Sequence, residues 1–157
     1  MIFRAFTFGV AATVGISLGI WTIDREPPTT TNRVEVITPE VPPGGKLRIH
    51  YWVRRMKECA IRIDRMMIDS TKVRVVLPDI DFERPPGPIG DDDYVSEVDV
   101  PDSLTEGPAI YRAVFRYNCN LIHRWFWPVV VGPVDVQFTV KGPKVPSIQL
   151  PELRSPR

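Results

Sequence analysis

From Arg33 to Lys141 large apolar residues return at every second position, in short runs cut by proline and glycine. Period two is the signature of a strand with one dry and one wet face. "RVEVIT" predicts a first strand, and "PEVPPGGK" a turn after it. "KLRIHYWVRR" puts Leu47, Ile49, Tyr51 and Val53 on one face, with Lys46, Arg48, His50, Trp52 and Arg54 on the other. "CAIRIDRMMID" directs Cys59, Ile61 and Ile63 inward, and the run from Arg65 to Asp69 breaks that phase, as at a bend or bulge. "KVRVVLP" places Val73, Val75 and Leu77 together. "YVSEVDVP" is shorter and more polar, as an edge strand is. "YRAVFRYNCN" alternates Tyr111, Ala113, Phe115, Tyr117 and Cys119 with Arg112, Val114, Arg116 and Asn118. "VDVQFTVK" turns Val134, Val136, Phe138 and Val140 inward. Seven such strands predict an all-β sandwich over 33–141.

The first residues follow another pattern. No charge lies between Arg4 and Asp24, so Ala5 to Ile23 form an uncharged run of nineteen residues. As a helix it extends about 28 Å, close to the hydrocarbon thickness of a bilayer. Trp21 stands at its end, where an indole suits the headgroup level. Asp24, Arg25, Glu26 and two prolines then stop it. The expectation is a transmembrane signal-anchor over 1–23, reaching the membrane through 5–23, with an extended linker over 24–32. Arg4 and the amino terminus favour a cytoplasmic N-terminus, which sends the sandwich to a periplasmic or extracellular side. A cleaved secretory signal, with Ser17-Leu18-Gly19 as a small-x-small site, and a helix buried in a soluble protein or particle remain alternatives. Gly15 and Gly19 form G-x-x-x-G, a spacing that admits a second helix and thus a homo-oligomer. The Pro-rich end, 142–157, is expected to be irregular or polyproline-like, the form in which Pro-recognition domains bind their ligands.

Composition adds a constraint and charge adds a question. Seventeen prolines are about twice the usual share and argue against long helices in the body. A net charge of +1 gives no nucleic-acid footprint. Residues 79–106 nevertheless hold one Arg against ten Asp/Glu, a net of −9. The ordinary reading is a solvated acidic loop. A D-x-D-x-E run, Asp79, Asp81 and Glu83, brought near Asp91, Asp92 and Asp93 would supply the hard oxygen ligands of Ca²⁺, although the spacing is not that of an EF-hand.

The only cysteines are Cys59 and Cys119, each in phase with the apolar side of its strand. In an oxidising compartment, inward cysteines on facing sheets bridge. In a reducing one they stay as two core thiols. Zinc binding wants four close ligands, and the two cysteines and two histidines, His50 and His123, are distant. A reactive thiol wants a neighbouring base and exposure, which a dry stripe lacks.

Tyr117-Asn118-Cys119 resembles the Y-x-C of immunoglobulin-like domains. The resemblance implies a disulfide from Cys119 to Cys59 in the opposite sheet, with Tyr117 at the corner. The family's core tryptophan has no counterpart: the stretch where it is expected reads "MMIDSTKVRVV".

"HRWFWP" places Arg124, Trp125, Phe126 and Trp127 in sequence. Three consecutive aromatics cannot share one dry face of a strand, so at least one faces outward or packs under the Pro-rich 84–90 segment. Arg124, Trp125 and Trp127 are therefore candidates for binding a protein partner, with the membrane surface a second destination. No G-x-S-x-G, H-E-x-x-H or P-loop occurs. The expected function is a non-catalytic, membrane-anchored, extracytoplasmic interaction module without a cofactor. A structural or accessory subunit of a larger assembly, such as a phage particle or a secretion-type complex, is the alternative.

Overall fold

The computed structural model describes the backbone of residues 2–142 and the side chains of 9, 10 and 12–142. The tail from 143 onward, expected to be irregular, lies outside the described residues. A helix, α1 (Ile2–Ile23), leads into eight strands and one short helix. The strands are β1 (Thr29–Val36), β2 (Glu40–Val41), β3 (Lys46–Arg55), β4 (Ala60–Ile68), β5 (Arg74–Phe82), β6 (Gly90–Asp99), β7 (Gly107–Asn118) and β8 (Val129–Val140). The short helix α2 (Leu121–Trp125) links β7 to β8.

The strands form two sheets. One has the order β1-β3-β6 and the other β2-β8-β7-β4-β5. All pairings are antiparallel except β2 with β8. A single apolar cluster joins the sheets: Leu47, Ile49, Tyr51 and Val53 of β3 pack with Tyr111, Ala113, Phe115 and Tyr117 of β7 and Val136 and Phe138 of β8. The all-β sandwich is thus the architecture.

Several boundaries differ from the sequence reading. The linker assigned to 24–32 ends sooner, because Thr29, Thr30 and Thr31 already pair with Arg55, Arg54 and Val53. A run of β-branched threonines suits a strand better than a spacer. The strand count rises by one through the two-residue β2. The phase of β4 does break, with the register to β5 shifting between Ile63 and Arg65. That shift turns Met67 fully inward. As expected, β6 is an edge, but it starts at Gly90, so Asp91, Asp92 and Asp93 belong to a strand rather than a loop. Likewise Asp79 and Asp81 lie on β5, the edge of the other sheet, where Pro78 is tolerated.

The helix α1 forms where the uncharged run predicts one. Its described side chains from Val10 to Ile23 lie exposed, apart from a half-buried Gly19. A Cβ added at Gly15 or Gly19 would meet nothing within 4 Å. Among the described residues, no helix is long and apolar enough to cross a membrane.

Candidate contact surface and inter-sheet cavity

The disulfide fixes one end of the sandwich. Cys59 immediately precedes β4, and Cys119 immediately follows β7. Their sulfurs are bonded at 2.10 Å with Cα atoms 4.4 Å apart. The pairing is the expected one, but its place is not. β4 and β7 are neighbours in one sheet, with Ala60 opposite Asn118. The bridge therefore continues a ladder sideways and does not staple the two sheets. Periodicity shows that both cysteines point inward; it does not show that their strands lie side by side.

From Cys119 the chain turns directly into α2. The Asn120 side chain accepts a hydrogen bond from the His123 backbone N–H at 2.9 Å, which caps the helix. The N–H groups of Phe126 and Trp127 both donate to the Ile122 carbonyl and close the turn. Pro128 prevents its continuation. This geometry throws the aromatics outward. Trp125 is 72% exposed, Phe126 84% and Trp127 59%. With Leu121, also exposed, they make an apolar ridge. Arg124 stands in it, 3.5 Å from Glu83. His123 turns the other way: it is 2% exposed, and neither ring nitrogen has a hydrogen-bond partner.

The ridge borders the end of α1. Lys57 Nζ holds both carboxylate oxygens of Asp24, at 2.6 and 2.9 Å, and keeps that carboxyl below the usual carboxylate range. The Arg25 guanidinium lies 4.7 Å from the Trp127 ring centroid. Asn120 Nδ2 donates to the Trp21 carbonyl at 3.2 Å, and Met56 N–H to the Pro28 carbonyl at 2.8 Å. Thus the apolar helix, its tryptophan and the aromatic ridge meet at one end of the molecule.

The acidic residues are spread over two sheets, each set against basic neighbours. Asp93 Oδ2 is 2.7 Å from His50 Nε2, across the β3–β6 pair. Asp91 faces Arg54 at 3.9 Å. Asp79 accepts from Arg62, which also stands opposite Asp81 in register. Glu83 reaches Arg124, and Asp92 lies against Gly87. Among the described residues, no group of three or more Asp, Glu, His or Cys is arranged to hold a metal ion. The carboxylates of 79–83 and 91–93 do not converge, since β5 and β6 edge different sheets.

A second feature lies between the sheets. A cavity of about 490 Å³ runs between β3 and β6 on one side and β4, β5 and β7 on the other. Its walls are mainly aliphatic and aromatic, among them Ile63, Phe82, Ala113 and Phe115, with Arg65, Asp92 and Ser96 among the polar members. Burial pushes the Tyr51 hydroxyl well above the usual phenol range and that of Tyr94 up to about 12, so both stay neutral. Arg55 also lines it and is 6% exposed. Period two from Leu47 through Val53 carries Arg55 inward, although nothing in its sequence neighbourhood marks it as a site residue. The signals for α2 were weaker: an Asn before five residues, Leu121 to Trp125, that show no clear apolar face is all that marks it.

No protein-family model matches the chain, and no curated protein matches it. Among solved structures the chain is similar to the crystal structure of Spo0M, a sporulation control protein from Bacillus subtilis. The TM-score is 0.37 and the identity 10%, over 73% of this chain and 49% of that one. The aligned part thus spans about half the length of Spo0M.

Proposed function

We propose that the protein is a non-catalytic interaction module anchored in a membrane by α1, with its sandwich on the extracytoplasmic side. The observation that supports this is the free-standing helix. Although no helix among the described residues meets the length and apolarity of a span, the run Ala5–Ile23 of α1 carries no charge, its described side chains are exposed, and no other described residue covers them; a bilayer is the ordinary cover for such a surface. The exposed ridge of Trp125, Phe126 and Trp127 with Arg124 supports a contact role, since aromatic and arginine side chains anchor interfaces. Its place beside the helix end directs it to a protein partner lying in or on the same membrane. The bridged cysteines agree with an oxidising compartment. The fold is read as immunoglobulin-like only in the loose sense of a two-sheet sandwich carrying Y-x-C, because the bridge lies within one sheet.

A second reading, in which the same aromatics sink into the lipid headgroups, is favoured by the contact of Arg25 with Trp127 just past the helix. Membrane fractionation tests the anchor. The full chain stays with membranes through a carbonate wash, and a chain lacking 1–23 is released. A photo-crosslinking residue at Trp125 separates the two contacts: protein adducts support the first and lipid adducts the second. Recovery of the full chain in the soluble fraction sinks the anchor itself.

A further inference from the structure

We propose that the cavity between the sheets is a binding site for an anionic single-chain amphiphile, an acyl chain that ends in a carboxylate or phosphate beside Arg55. The volume of about 490 Å³ lies in the range of small-molecule sites, which are mostly apolar with a few placed polar groups. A close-packed sandwich core leaves few voids larger than a water molecule. This space, partly open to solvent, is far larger than such a void, and its mainly apolar lining suits an apolar occupant.

Arg55 supplies the polar end. It lies at the last position of β3, opposite Thr29, where the chain arrives from α1. Its Nη1 donates to the carbonyls of Gly87 and Pro88 and its Nη2 to that of Pro86. Nε has no partner. No salt bridge to this guanidinium is formed among the described residues, although Asp92 also lines the cavity and lies near by. Carbonyl dipoles answer only part of a buried formal charge; an anion answers the rest.

The 83–89 segment closes over this end as a strap. Gly87 has φ of +96°, and a Cβ there would fall 2.2 Å from Asp92 Oδ2 and 3.3 Å from Arg55 Nη1. Glycine alone lets the strap approach so closely. If α1 spans the bilayer, the Arg55 end is the membrane-proximal one and a lipid is at hand. That location rests on the anchored reading, whereas the chemistry of the cavity does not.

The test uses the full chain in detergent-free peptide discs, with palmitate labelled with ¹³C at its carboxyl. The expected result is a saturable, one-to-one bound carboxylate resonance. Arg55→Gln weakens binding at least tenfold. Ala113→Trp, which fills the cavity from β7, abolishes it while leaving the melting temperature unchanged or higher. Ser96→Trp blocks the same space from the edge strand, on the face that meets Ile49, and keeps the test open should Ala113→Trp fail to fold. A single-chain phosphate amphiphile distinguishes the two head classes. Hexadecanol, binding as tightly as palmitate, would overturn the role of Arg55. Absence of a saturable signal, or one that both tryptophan variants leave intact, overturns the site. Binding that appears only after deletion of 143–157 also overturns it, by making the chain's own tail the occupant. Flotation with vesicles reports the anchor separately, so failure of one reading is not mistaken for failure of the other.

Discussion

Asp69 shows how one side chain sets a turn. It is almost fully shielded at the end of β4, and its Oδ1 accepts from Thr71 N, Thr71 Oγ1 and Val73 N at 2.7 to 3.0 Å. Oδ2 accepts from Thr105 N at 3.3 Å and ties the β4–β5 turn to the segment before β7. These donors, led by the Thr71 hydroxyl, hold the carboxyl down at about 2. A depressed carboxylate contributes stability that is complete above its unfolded value near 4 and is lost as pH falls through about 2. Asp69→Asn should therefore lower the denaturation midpoint at neutral pH, and the gap to the parent protein should narrow as pH drops across that window. A gap that stays constant would remove Asp69 as its source. His123 is the opposite case, a buried ring with both nitrogens unanswered. His123→Leu should stabilise the fold by about 1–2 kcal/mol, because it removes two unsatisfied polar atoms and keeps an apolar filler. Urea denaturation measures it, and a loss of stability would show that the imidazole is hydrogen-bonded after all.

At the scale of elements, periodicity carried far but stopped at neighbourhood. The alternation in β3 and β7 was readable because each has one wet face, and the inward residues are the ones the pattern names. Which strands sit side by side was not readable, since pairing is decided by crossovers between sheets. Three consequences were missed for that reason: the same-sheet bridge, the Asp93–His50 pair, and the separation of the two acidic runs onto different edges. Helix α2 escaped because five residues are too few for a helical period to show. The bridge itself should matter most at its own end of the sheet. Replacing both Cys59 and Cys119 by Ala should cost about 4 kcal/mol in the chain-entropy view of a sixty-residue loop. Hydrogen exchange should rise first at Phe126 and Trp127, whose amides close the turn that Cys119 leads into. Uniform loss of protection across both sheets would contradict that order.

For the molecule as a whole, charge and shape are sorted by place. Carboxylates line β5 and β6, one edge of each sheet, where they also discourage edge-to-edge pairing with other chains. Removing Asp91, Asp92 and Asp93 together, as Asn, should raise self-association at low ionic strength, as light scattering would report. Apolar surface gathers at the opposite kind of site, around α1 and α2. The ion pair of Lys57 with Asp24, the contact of Arg25 with Trp127 and the hydrogen bond of Asn120 to the Trp21 carbonyl set the helix end against the body. On the anchored reading proposed above, the body would stand as a fin whose reach is its own span, about 40 Å for a twelve-residue strand, and a partner would have to come within that distance of the membrane.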